Sequence, residues 1–239
     1  MSLRVKIGAV VLSAMTAFMA GQAHAERFSG SLGFVIGSPK GEFRDNVDRE
    51  GYGFSIGGMY KPKILPIGFG IDIGYMNYGH DERTEKFSTT IPDVKVRVKN
   101  NNNILSGNFV MRYRYDGGRI SPYLDALVGL KYLYTDTKIT DESGWGDDEI
   151  ASSNNFDDTT YGIGGGGGVL IRLFSLSKDS WRPDGGNIYL DLRCRYISGG
   201  KAEYLKKGSI REENGNVTYD VYESDTDMLY FHIGVMLGF

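Results

Sequence analysis

One cysteine in 239 residues, Cys194, excludes an internal disulfide, so the fold must be held by other means. Proline is scarce, at six, and histidine scarcer, at three. No segment beyond residue 25 reaches the roughly 18 consecutive apolar residues of a helical membrane span. Neither sign of charge dominates, with 27 Lys and Arg against 30 Asp and Glu, so nucleic acid is not an expected partner. The abundant residues are 34 glycines and 16 tyrosines, a composition suited to strands, tight turns and closely packed walls.

The first 25 residues form a separate physical unit. Arg4 and Lys6 give a positive start, Ile7 to Ala20 an apolar run too short for a span, and Ala23-His24-Ala25 a cleavage sequence of small residues. This predicts a secretory signal over residues 1–25 and a single all-β domain over 26–239. Removing the leader with its two basic residues leaves 214 residues and moves the formal net charge from −3 to −5.

In what remains, apolar residues recur at period two. At the C-terminus Leu229, Phe231, Ile233, Val235, Leu237 and Phe239 share one face, against Met228, Tyr230, His232, Gly234, Met236 and Gly238. The pattern recurs near 27–37, 51–61, 67–79, 103–115, 121–135, 159–174 and 187–198, each stretch long enough for a tilted strand to cross a bilayer. Eight strands are therefore expected, and their connections alternate in length. Those at 61–66 and 116–119 are short and 175–186 is moderate, whereas 38–50, 80–102, 136–158 and 199–226 are long and polar. Short turns on one side and long loops on the other predict an eight-stranded antiparallel up-and-down transmembrane β-barrel with both chain ends at the short-turn, periplasmic side.

The terminal Phe239, with apolar residues at alternate positions before it, resembles the C-terminal strand recognised by the outer-membrane assembly machinery. The eight-strand layout resembles the OmpA-like transmembrane domain and the OmpX/Ail class across the whole chain after residue 25. That class includes adhesins, anchors, small-molecule conduits and lipid-modifying enzymes. The resemblance implies contact with outer-membrane lipid and lipopolysaccharide and assembly guided by Phe231, Ile233, Val235, Leu237 and Phe239. A periplasmic peptidoglycan-binding domain like that of full-length OmpA is not expected. The leading expectation is a non-enzymatic barrel whose long loops serve surface interaction and whose body serves envelope integrity, with no cofactor. The alternatives are a conduit for small or hydrophobic molecules and a lipid-modifying enzyme.

The interior of so small a barrel holds only side chains. Alternation assigns to it Asp72, Asn108, Arg112, Arg114, Asp125, Lys131, Arg172, Asp191, Arg193, Arg195 and His232. Of these, Asp72, Arg112, Asp125, Arg172, Asp191, Arg193 and His232 should lie at similar depth. Buried charges must pair, so a structural ion network and a plugged lumen are expected, with an anion-selective pore as the alternative. Six Lys or Arg against three Asp leaves a cationic excess for water or anions to offset. Inward Gly162, Gly164, Gly166 and Gly168 would give these side chains room.

Other motifs carry less. Gly162, Gly164 and Gly167 satisfy GxGxxG but lie within an alternating strand with no helix after them. His80 and His232 sit in no metal-ligand spacing. The loop from Asp136 to Asp158 is acidic; its residues Asp141, Glu142, Asp147, Asp148 and Glu149 form a weak calcium candidate without EF-hand spacing, and a solvated loop is the favoured reading. Lys201, Lys206, Lys207 and Arg211 in the last loop suit contact with anionic lipid phosphates as well as simple exposure.

Overall fold

The computed structural model describes residues 27–62, 67–86, 95–115, 118–141, 149–176, 185–206, 209–213 and 216–239. At 83–86, 95–96, 139–141, 149–155, 210–213, 216–217 and 219 it describes backbone only. The expected leader lies outside the described residues. Seven strands, β1 (Phe28–Pro39), β2 (Gly51–Tyr60), β3 (Ile67–Lys86), β4 (Lys95–Arg114), β5 (Ile120–Asp141), β6 (Glu149–Leu176) and β7 (Gly186–Gly199), follow one another around an antiparallel barrel. Four short strands, β8 (Lys201–Tyr204), β9 (Ile210–Glu213), β10 (Asn216–Tyr219) and β11 (Tyr222–Asp225), precede the closing strand β12 (Met228–Gly238). The ring closes where β12 pairs with β1, in register from Ser29 opposite Gly238 to Pro39 opposite Met228. Closure satisfies the backbone of every wall strand through its neighbours, which a hydrocarbon environment requires.

Alternation sorts the wall into two surfaces. Leu124 is 64% exposed and Asp125 beside it 5%; Phe231 and Ile233 are exposed on either side of buried His232. Phe54, Ile71, Phe109, Val128, Leu130, Ile163 and Val235 continue the same outer band. A continuous apolar exterior of this extent is not tolerated in water and is satisfied by acyl chains. Leu237, on the same side of β12, is partly covered. Among the described residues no helix is long and apolar enough to cross a membrane, and the crossing elements here are strands.

Two long connections differ from the expected loops. The hairpins β3–β4 and β5–β6 continue as paired strand through Asp81 opposite Asn100 and Lys138 opposite Ser152. With 20 to 28 residues per strand, where a crossing takes about 9–11, these hairpins project well beyond the apolar band. Alternation does not reveal such segments because their covered face is lined largely by polar side chains such as Asn100, Asn102 and Thr135, and so carries no apolar period. The connection at 38–50 contains a six-residue helix, α1 (Gly41–Asn46), and the one at 199–226 holds two separate two-stranded sheets, β8 with β11 and β9 with β10.

Local features shape the wall. On β6 a Cβ at Gly164, Gly166 or Gly168 would run into the backbone carbonyls of Tyr196, Cys194 or Leu192 on β7, so glycine permits the close approach of these strands. Register shifts at Asn77/Gly79 on β3 and at Thr135/Asp136 in the β5–β6 pairing, where Asn155 of β6 is skipped, mark where the projecting hairpins leave the barrel. The first of these bulges leaves Tyr78 out of the ladder and buried.

Candidate functional site

The inward faces of β3, β4, β5, β7 and β12 carry a closed circuit of polar side chains. Asp191, Arg193 and Arg195 alternate along β7 and so point together into the lumen. Arg112 grips Asp125 through two bonds, from Nε at 2.7 Å and Nη2 at 2.9 Å. Asp125 Oδ2 also accepts from Arg195 Nη2 at 2.7 Å and Nε at 3.0 Å. Arg195 Nη1 reaches Asp72 at 3.3 Å, and Asp72 accepts from Arg193 Nη1 at 3.0 Å. Arg193 Nε faces Asp191 Oδ2 at 3.5 Å, Tyr123 donates its hydroxyl to Asp191, and the Arg112 guanidinium lies 3.6 Å from the centre of the Tyr123 ring. The circuit thus returns to its starting residue.

His232 is a branch from this ring. Its Nε2 lies 2.9 Å from Arg193 Nη2. A guanidinium only donates, so Nε2 accepts and the ring proton sits on Nδ1, which is buried without a hydrogen-bond partner.

The ring contains three arginines and three aspartates, so its formal charge is balanced. The expected excess of interior cations arises because three of the assigned residues lie elsewhere. Lys131 is buried nearer the long-loop end, its Nζ donating to the Thr226 carbonyl at 2.6 Å. Arg114 lines a cup at the short-turn mouth. Arg172 is not at the depth of the ring: it stands opposite Tyr189 beside the register shift at Arg172/Phe174, close to the short-turn rim, and is only half-buried. Position along a strand misjudged its depth because strands in a barrel are tilted and staggered. Asn108 is buried and lines a void of about 40 Å³ on the long-loop side of the ring, together with Ser55, Ser106 and Tyr230. A second void, about 10 Å³, lies on the other side, beside Ser31 and Met236. Spaces of this size accommodate ordered water beside the charges.

Apolar residues close the lumen on both sides of the ring. Toward the short turns, Tyr123, Leu170, Tyr189 and Met236 form a floor. Toward the long loops a larger cluster forms a cap of Phe43 from α1, Met76 and Tyr78 from β3, Ile104, Leu133, Ala202 and Tyr204 from β8, and Met228. Phe43 is fully buried and meets the Tyr204 ring edge-on at 5.0 Å and the Tyr78 ring at 5.8 Å. The bulge at Tyr78 therefore serves the cap, and the Tyr78 hydroxyl donates to the Leu205 carbonyl at 3.3 Å. Sequence reasoning missed this element. The available signal was a single aromatic, Phe43, within the otherwise polar stretch Gly41–Asn46, and the pair Tyr204-Leu205 in another polar connection.

Asp227 fastens the cap to the wall. Its carboxylate accepts from Tyr196 Oη at 2.6 Å, Ser198 Oγ at 3.0 Å and the Gly199 amide at 3.0 Å, while its carbonyl accepts from the Lys40 amide. Burial alone would raise its pKa, but the Tyr196, Gly199 and Ser198 bonds and the Lys131 charge outweigh that and hold the carboxyl below its ordinary value.

The remaining candidates are dispersed. His80 is exposed on the projecting hairpin, 2.8 Å from Asn101 and 3.6 Å from Glu82. Neither described histidine is hydrogen-bonded to a serine among the described residues. Cys194 is a free thiol on the outward side of β7. Glu142, Asp147 and Asp148 of the acidic stretch lie outside the described residues, as do the side chains of Asp141 and Glu149. Phe239 exchanges backbone bonds with Phe28 at the barrel seam.

Neisserial surface protein A is 15% identical, with 91% of this chain and 100% of that chain covered at a TM-score of 0.47. The attachment invasion locus protein Ail of Yersinia pestis is 13% identical over 90% of this chain and all of that one, at a TM-score of 0.39. The N-terminal β-barrel domain of Pseudomonas aeruginosa OprF is 13% identical, with the same coverage and a TM-score of 0.35. No curated protein matches the sequence. Residues 9–220 match the outer membrane protein beta-barrel domain, so the chain belongs to that family and is an integral protein of the bacterial outer membrane.

Proposed function

We propose that this protein is a non-enzymatic envelope protein, a sealed barrel that anchors extracellular loops for surface interaction and contributes to outer-membrane integrity. The observation that carries this reading is the double closure of the lumen by the ion ring and by the Phe43 cap. A filled interior leaves the projecting hairpins and the β8–β11 region as the parts available to partners. In this reading residues 1–25 are removed on export. The outer band contacts lipid and lipopolysaccharide, and the assembly machinery reads the strand that carries Phe231, Ile233, Val235, Leu237 and Phe239.

Reconstitution into planar bilayers tests the sealed barrel, with no stepwise conductance as the expected result. Discrete openings in the wild-type protein would favour the conduit reading. In cells lacking the protein, sensitivity to detergents should rise. The wild-type chain should restore resistance, and a variant lacking residues 200–227 should reach the membrane without restoring it fully.

A further inference from the structure

The outer wall changes character at one level on three neighbouring strands. Ile73 on β3, Leu105 on β4 and Leu130 on β5 are exposed members of the apolar band. Toward the long loops they give way to two cross-strand rows, Asn77, Asn103 and Tyr134, then His80, Asn101 and Asp136. These side chains form one network. Its hub is the buried Asn103, whose Oδ1 accepts from the Tyr75 hydroxyl at 2.8 Å and from Asn77 Nδ2 at 3.0 Å, while its Nδ2 donates to Asp136 Oδ1 at 2.6 Å. Asn101 Nδ2 donates to Asp136 Oδ2 at 3.2 Å, and His80 Nδ1 donates to Asn101 Oδ1 at 2.8 Å. Beside the network the half-buried rings of Tyr132 and Tyr134 stack, with centres 5.3 Å apart and planes 24° from parallel.

We propose that this patch binds a sugar ring in the headgroup of lipopolysaccharide in the outer leaflet. The inference deepens, and rests on, the reading that the outer band contacts lipopolysaccharide. Position gives the first reason: the patch continues the lipid-facing band on the long-loop side, at the level where headgroups meet acyl chains. Chemistry gives the second. A sugar ring has an apolar C–H face bordered by hydroxyls that both donate and accept. The tyrosine pair offers an apolar platform with polar edges, and the amides of Asn77 and Asn101 and the Asp136 carboxylate beside it supply donors and acceptors. The bonds through Asn103 fix these groups in advance, so little rotamer freedom is lost on binding. Charge separates a sugar from a phosphate. Asp136 and the exposed Asp157, which stands opposite Tyr134, repel an anion at the tyrosine level, whereas Lys99 and Lys138 stand one row further from the lipid band.

The test titrates the folded protein in dodecylphosphocholine micelles with dodecyl maltoside, a sugar-headed amphiphile of the same chain length, and follows the side-chain amide resonances of Asn77 and Asn101. Saturable shifts are expected. Tyr134→Leu, which keeps an apolar group at the boundary, and Asn101→Ala should each weaken binding about tenfold. Tyr113→Leu removes an exposed tyrosine near the short-turn end of β4 and should change nothing, an outcome that a general affinity of boundary aromatics for amphiphiles does not give. Gel mobility before and after boiling checks that each variant is a closed barrel. Equal shifts with dodecyl phosphate, or a loss in Lys138→Gln as large as in Tyr134→Leu, would assign recognition to a phosphate and overturn the proposal. Free maltose binding as tightly as the amphiphile would overturn the membrane source of the sugar. Lipopolysaccharide co-purifying from outer membranes separates the two levels of the argument, and less is expected with Tyr134→Leu and Asn101→Ala than with wild type. Equal amounts on all three would overturn this site alone, whereas none on the wild type would overturn the lipopolysaccharide contact and the site with it.

Discussion

The ion ring and the extracellular cap close the same lumen by opposite physics. The ring consists of charges that are stable in a narrow interior because each carboxylate lies against at least one guanidinium. The cap consists of rings and aliphatic groups whose association needs no particular partner, only exclusion of water. In the ring, loss of one carboxylate strands two arginines; in the cap, loss of one phenyl ring leaves a hole. A barrel interior therefore tolerates imperfect packing at the cap far better than imperfect pairing at the ring.

The largest effect should come from Asp125, which both Arg112 and Arg195 contact. Asp125→Ala is expected to cost about 3–5 kcal/mol of unfolding free energy, as removal of one member of a buried ion cluster does. Urea titration followed by gel mobility would read it. Replacing Arg112 and Asp125 together by Met and Leu would sharpen the contrast. If the double variant is no more stable than Asp125→Ala, uncompensated charge is not the source of the loss.

Next in size is Phe43→Ala. Deleting a buried aromatic typically costs about 3–5 kcal/mol, but here much of that falls on local closure of α1 and β8 over the mouth. Faster amide exchange at Tyr204 and Met228, with an unchanged urea midpoint for the barrel, is the expected signature. A global shift as large as that of Asp125→Ala would erase the distinction between the two regions.

A smaller effect should appear with pH at the latch. The Asp227 carboxyl is held below its ordinary value, so its contribution is present above the unfolded value of about 3.9 and is lost as pH falls through the lower folded value. Protection of the Gly199 amide against exchange, relative to its intrinsic rate at each pH, should fall on acidification through that range, and Asp227→Asn should flatten the dependence. The smallest effect belongs to Phe239→Ser. It should lower the yield of assembled barrel in cells while leaving the urea midpoint of the purified protein nearly unchanged, because Phe239 is joined to Phe28 through backbone bonds.

Much of the wall was legible in one dimension. Residues such as Leu124 and Asp125, or Phe231 and His232, differ so sharply in polarity that period-two alternation assigns them to lipid or lumen without reference to neighbours. The same alternation assigned Asp191, Arg193 and Arg195 to one face. It could not assign Arg172 to the rim, Lys131 to the region below Thr226, or Arg114 to the cup, because depth depends on the stagger between strands. Nor could it detect the projecting hairpins, whose covered face carries polar residues such as Asn100 and Asn102 and therefore no hydrophobic period.

The sequence by itself determined a closed antiparallel wall, its lipid-facing residues and the identity of the charges it must enclose, since those follow from backbone hydrogen bonding in hydrocarbon and from a two-residue repeat. Only the tertiary structure decided which charges pair, that the ring is neutral, and that Phe43 and Tyr204 cover the mouth from connections more than a hundred residues apart. Those outcomes rest on shear and on loop packing, which bring together residues that no local pattern relates.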